Sequence, residues 1–152
     1  MYNFEWSKNP IILKILIING PNLNLLGKRE PMLYGHTSFE DYLIDLRHKF
    51  STHTIDYFQS NVEGEIIDRI HQSDGDQTDA IVINAGGYSH TSVAIADAIS
   101  SISISAIGVH ITNIYTREEE RHKELLSKYL KGGIFGLGIM GYELAIRNLT
   151  SH

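Results

Sequence analysis

Ile11-Ile12-Leu13-Lys14-Ile15-Leu16-Ile17-Ile18-Asn19 is an almost unbroken run of isoleucine and leucine, halted at once by Gly20-Pro21-Asn22. A strand with one wet face alternates apolar and polar residues; a run apolar throughout belongs where both faces are covered, as in a parallel sheet. The chain beyond it keeps one rhythm. Thr37 with Glu40 forms a capping-box signal, and Phe39, Leu43, Leu46 and Phe50 recur at helical spacing. Residues 54–59 read as a short strand, and Asn61 then caps a helix with Ile66, Ile67 and Ile70 on its apolar face. Residues 80–84 form a strand entering Gly86-Gly87, 91–101 a helix of small residues, and 105–111 a fourth strand. A charged stretch, 117–121, and the segment 125–130 precede a weaker fifth strand at 134–137 and a last helix at 142–149. Strands alternating with helices predict an α/β fold: an open, parallel, five-stranded sheet with helices on both faces.

At 152 residues the chain suits one compact domain. Residues 11–152 are assigned to it, with residues 1–10 as an extension. There is no cysteine, which excludes thiol nucleophiles, thiolate metal sites and disulfides and is compatible with a cytoplasmic setting. Eighteen acids against thirteen lysines and arginines give a net charge of -5, so no basic footprint for nucleic acid is expected. The apolar run 11–18 is interrupted by Lys14 and too short to span a bilayer. Neither a signal peptide nor a membrane partner is expected, and the composition points to a small-molecule substrate.

In open α/β sheets ligands bind outside the carboxyl ends of the strands. Here those ends read Asn19-Gly20-Pro21-Asn22, Gln59-Ser60-Asn61, Asn84-Ala85-Gly86-Gly87-Tyr88-Ser89-His90 and His110-Ile111-Thr112-Asn113. Any single asparagine there is explained by polar capping. Two histidines and several amides on one rim point instead to a site.

Other chemistries fit less well. Gly136-Leu137-Gly138-Ile139-Met140-Gly141 spells a dinucleotide fingerprint, but the chain ends too soon for the second strand and its acid, so the glycines read as a turn or close-packing device. A metal triad of His90, His110 and Asp97 is conceivable, yet no local histidine pair accompanies it. Ser89 and Ser92 lack a nucleophile elbow, and no lysine sits in an apolar pocket that would suit a Schiff base. No metal or cofactor is expected. The long loop after the first strand carries Arg29, Glu30 and Tyr34. Tyr34 there reads either as an aromatic flap or as a general base. Ionising a tyrosine at pH 7 costs about 4 kcal/mol, and a guanidinium about 4 Å away in shielded surroundings supplies attraction of that order. Arg29, which cannot lose its proton, is near enough in sequence to do so if the loop closes.

With Asn19-Gly20-Pro21-Asn22-Leu23-Asn24-Leu25-Leu26-Gly27, Arg29-Glu30-Pro31, Tyr34-Gly35, Phe58-Gln59-Ser60-Asn61, Asn84 to Ser92, Val109 to Asn113 and Arg117-Glu118-Glu119 all in order, the chain resembles the type II 3-dehydroquinate dehydratases from about Ile15 to Leu149. The resemblance implies a flavodoxin-like fold and a lyase that converts 3-dehydroquinate to 3-dehydroshikimate through an enolate, without metal, cofactor or Schiff base. It implies Tyr34 as base, Arg29 as the group favouring its anion, Asn22 as holder of a water at the enolate, and His110 as acid. Asn84, His90, Ile111, Thr112 and Arg121 correspond to the substrate clamp, and Arg117 to an arginine near the lid. Asp97 corresponds to a residue that reaches a neighbouring subunit's site, so trimers assembling into a homododecamer are implied.

One position departs from that pattern. The family commonly carries glutamate two residues before the acid histidine, where this chain has Gly108. Residues 108 and 110 share a strand face, so a carboxylate there would orient the imidazole and favour its charge. Either another acid substitutes, Glu63 and Glu65 being candidates, or turnover is slow with a shifted pH profile; the extreme case is a low-activity paralogue that only binds quinate.

Overall fold

The computed structural model describes residues 11–28, 32 and 36–151. The extension 1–10 and the loop residues Arg29 and Tyr34 lie outside the described residues.

Five strands, β1 (Lys14–Asn19), β2 (Thr54–Gln59), β3 (Ala80–Asn84), β4 (Ser105–His110) and β5 (Gly132–Phe135), form one sheet in the order β2-β1-β3-β4-β5. Every pairing is parallel. Among the described residues five helices accompany it: α1 (Phe39–Lys49), α2 (Glu63–Ser73), the single turn α3 (Tyr88–Thr91), α4 (Val93–Ser101) and α5 (Met140–Thr150). This is the flavodoxin-like strand order, in which the winding reverses between β1 and β3 and opens a crevice at their carboxyl ends.

Alternation along each strand divides the core in two. Ile15, Ile17, Ile55, Val82, Ile107 and Val109 face α1 and α5, where Phe39, Leu43, Leu46, Tyr142 and Ile146 are buried. Leu16, Ile18, Ile81, Ile83 and Ala106 face α2 and α4, against Ile66, Ile70, Ile95 and Ile99. A fully buried isoleucine contributes roughly 1.5–3 kcal/mol, so the unbroken run in β1 binds both layers to one strand.

Several local expectations shift. The cap of α1 is Ser38, whose Oγ accepts from the Asp41 amide at 3.1 Å, rather than Thr37. Asn61 does not cap α2; its Oδ1 accepts from the Asn22 amide at 2.9 Å and so ties the loop after β1 to the end of β2. The helix expected over 91–101 is two helices, because Ser92 leaves the helical conformation and its side chain caps α4 through the Ile95 amide. β5 begins two residues early, at Gly132, with Gly108 opposite Gly133 and His110 opposite Phe135. The run 136–141 is the packing device expected: Gly136 has φ +81°, and a Cβ on Gly141 would lie 3.1 Å from Val109 Cγ1.

Candidate active site

The register fixes the rim. Asn19 is level with both Gln59 and Asn84, so the loops leaving β1, β2 and β3 begin at one height. Between the loops after β1, β3 and β4 lies a cleft of about 190 Å³ whose walls include Asn22, Asn84, His90, His110, Thr112 and Arg121. Ile111 and Arg117 line it too. The structure therefore brings together every expected site residue that it describes except Asp97, which is exposed on α4 and does not line the cleft. Among the described residues no group of three His, Asp or Glu side chains is arranged to hold a metal ion.

His90 and His110 face each other with ring centroids 5.6 Å apart. His90 sits on α3, and its Nδ1 is 2.8 Å from the carbonyl oxygen of Lys123. A carbonyl only accepts, so Nδ1 carries the proton. Burial pushes the His90 pKa down, outweighing the Lys123 carbonyl, and the charges of His110 and Arg121 lower it further. His90 is accordingly neutral at pH 7, with Nε2 left as an acceptor.

Asn84 is held from behind. Its Oδ1 accepts from the Gly86 amide at 3.1 Å, and its Nδ2 donates to the Tyr142 hydroxyl at 2.9 Å. That hydroxyl donates in turn to Asn19 Oδ1 at 2.8 Å. Tyr142 is fully buried, and burial drives its phenol well above the usual tyrosine range, so it remains a neutral donor. Asn22 adopts a left-handed backbone, φ +68°, which turns the chain over the cleft. Arg117 donates from Nη1 toward Thr112 Oγ1 at 3.4 Å. Arg121 pairs with Glu118, and that bond holds the Glu118 carboxyl down at about 2.

Neither Glu63 nor Glu65 lines this cleft. Both belong to the first turn of α2, where the Ser60 hydroxyl donates to Glu65. The carboxylate beside His110 is Glu124, whose Oε1 lies 3.7 Å from His110 Nε2. Sequence reasoning missed Glu124 and Tyr142. Glu124 sits in an irregular segment with no periodicity to mark it, and Tyr142 reads as ordinary helix core.

A parallel sheet wound in this order, with amides, imidazoles and guanidinium groups converging beyond β1, β3 and β4, defines an α/β protein built to hold a small polar molecule. Comparison sharpens the class. The model of the family described as dehydroquinase class II matches residues 13–150. A 3-dehydroquinate dehydratase of Caldicellulosiruptor bescii is 50% identical over 135 residues, 88% of this chain and 93% of that protein. A catabolic 3-dehydroquinase 2 of Neosartorya fischeri is 52% identical over 134 residues, 87% and 89% of the two chains. The crystal structure of a type II dehydroquinase from Butyrivibrio crossotus superposes with a TM-score of 0.86 at 43% identity, covering 93% of this chain and 99% of that one. The chain belongs to the class II dehydroquinase family.

Proposed function

We propose that the chain is a hydro-lyase that converts 3-dehydroquinate to 3-dehydroshikimate. The match of the family model across residues 13–150, on a chain whose cleft assembles Asn22, Asn84, His90, His110 and Arg121, carries this reading.

In the mechanism, the Tyr34 phenolate removes a proton from C2, next to the C3 ketone. The electron pair moves onto the carbonyl oxygen as an enolate, which a water held by Asn22 stabilises. The enolate then collapses, the C1–O bond breaks, and His110 gives its proton to the departing hydroxyl. A double bond forms between C1 and C2 and water leaves. Arg29 keeps Tyr34 ionised, and loop closure strengthens that attraction by excluding water. Arg121 takes the substrate carboxylate, while Asn84, the neutral Nε2 of His90 and the backbone of Ile111 and Thr112 bind the hydroxyls. A base and an acid on opposite sides of the ring perform such an elimination with protein groups alone. Each contributes in the usual range for acid–base catalysis, about 10²- to 10⁴-fold.

The same reading makes the working form a cytoplasmic homododecamer, a tetramer of trimers, with Asp97 reaching from its exposed place on α4 to a neighbouring subunit's cleft. Adding 3-dehydroquinate to the purified chain and following the ultraviolet absorbance of the conjugated enone tests the activity. A rise dependent on the protein is expected; an unchanged spectrum with folded protein refutes it. A mass of twelve chains in solution is expected alongside.

A further inference from the structure

His110 closes β4, and its side chain is only 14% exposed. The segment beyond the 3-10 turn at Glu119–Arg121 is anchored by three contacts to α3 and the core. The Lys123 carbonyl takes His90 Nδ1 at 2.8 Å, the Leu125 amide donates to the Ser89 carbonyl at 2.8 Å, and Leu126 is buried in the core on the α2 and α4 side. Between them the Glu124 side chain, 8% exposed, points into the protein. Its Oε2 accepts from both the amide and the hydroxyl of Ser127, leaving Oε1 toward His110 Nε2 at 3.7 Å, an ion-pair separation. One oxygen is therefore tied down and the other aimed.

The same segment occupies the space that Gly108 leaves. A Cβ on Gly108 would lie 2.7 Å from Leu130 Cδ1. An acid on β4 at this position would have to displace Leu130.

We propose that Glu124 is the positioning residue for His110: its anchored carboxylate orients the imidazole and pairs with its charged form, the duty that an acid at position 108 would have on the strand. This rests on the reading of His110 as the acid of the dehydration. Burial pushes the Glu124 carboxyl up, but bonding to His110 and Ser127 and the imidazole charge outweigh it and hold the carboxyl below the ordinary glutamate range, so it is ionised at neutral pH. Among the described residues, the other titratable and charged groups that line the cleft with His110 are His90 on α3 and Arg117 and Arg121 beyond β4, all neutral or cationic. Among these residues Glu124 therefore provides the negative charge beside the ring.

The test compares kcat and KM across pH for wild type, Glu124→Gln and Glu124→Asp. A general acid must be protonated, so its activity is lost as pH rises. An opposite charge within about 4–6 Å moves such a transition by about one unit or more. Glu124→Gln is expected to lower kcat tenfold or more at neutral pH with KM within threefold, and to move the high-pH limb of kcat about one unit lower. Glu124→Asp, which keeps the charge, recovers part of kcat. Ser127→Ala, which releases Oε2, is expected to lower kcat at least threefold. A Glu124→Gln chain with wild-type kcat and an unmoved high-pH limb overturns the proposal, as does a Ser127→Ala chain with unaltered kcat. A wild type that fails to turn over refutes the dehydratase reading instead, so the two failures are distinct.

Discussion

Asn84 and Tyr142, 58 residues apart in sequence, are joined by a buried hydrogen bond of 2.9 Å that couples the end of β3 to the first turn of α5. The bond turns a core helix residue into the back support of a cleft residue. Tyr142→Phe leaves Asn84 Nδ2 and Asn19 Oδ1 without this partner, and a buried unpaired group costs about 1–3 kcal/mol. Urea unfolding is expected to show a loss of that size. With Asn84 proposed as a substrate ligand, KM for 3-dehydroquinate is expected to rise severalfold, because Asn84 Nδ2 loses its anchor and only the Gly86 amide still holds the side chain.

His90 gives a pH dependence with a definite sign. Its pKa is lowered in the folded chain, first by burial. The unfolded chain, with an ordinary histidine near 6.5, takes up the proton first as pH falls. Its contribution to stability is complete above about pH 6.5 and is lost progressively toward the folded value. A plot of unfolding free energy against pH is expected to slope less below that point in His90→Gln than in wild type.

The glycine at the start of α5 is set by contact. A Cβ on Gly141 meets Val109 Cγ1 at 3.1 Å and Ile134 Cγ2 at 3.5 Å. Gly141→Val overpacks the seam between α5 and the strands β4 and β5. A destabilisation of about 1–3 kcal/mol is expected in thermal or denaturant melts.

How much of this the sequence disclosed depends on what enforces each feature. β3 has the bounds its apolar run indicates, because burial on both faces leaves a continuous signature. β5 does not, because its first residues are Gly132 and Gly133, which carry no propensity and join the sheet only through pairing with β4. The cap of α1 fell on Ser38 rather than Thr37 since both neighbours are competent caps and tertiary packing chooses. Asn22, Asn84, His90 and His110 stand at or just beyond strand ends, whereas Arg121 came only from the resemblance; the cleft gathers all five. Glu124 was not: its role comes from a loop folding back over β4, and nothing in local spacing announces that. The carboxylate expected from Glu63 or Glu65 comes from the other side of the site.

The roles proposed for Tyr34 and Arg29 carry the sharpest catalytic expectation. On that proposal, Tyr34→Phe removes the base and Arg29→Ala the charge that keeps it ionised. Each is expected to lower kcat by about 10²- to 10⁴-fold while the far-ultraviolet circular dichroism stays unchanged. Full activity in either variant contradicts the role assigned to that residue.

The most direct measurement is proton NMR of 3-dehydroquinate incubated with the wild-type chain. Dehydration is expected to consume the C2 methylene signals and give a single vinyl proton, with water as the only other product. A substrate spectrum unchanged after prolonged incubation with folded, correctly assembled protein would contradict the account.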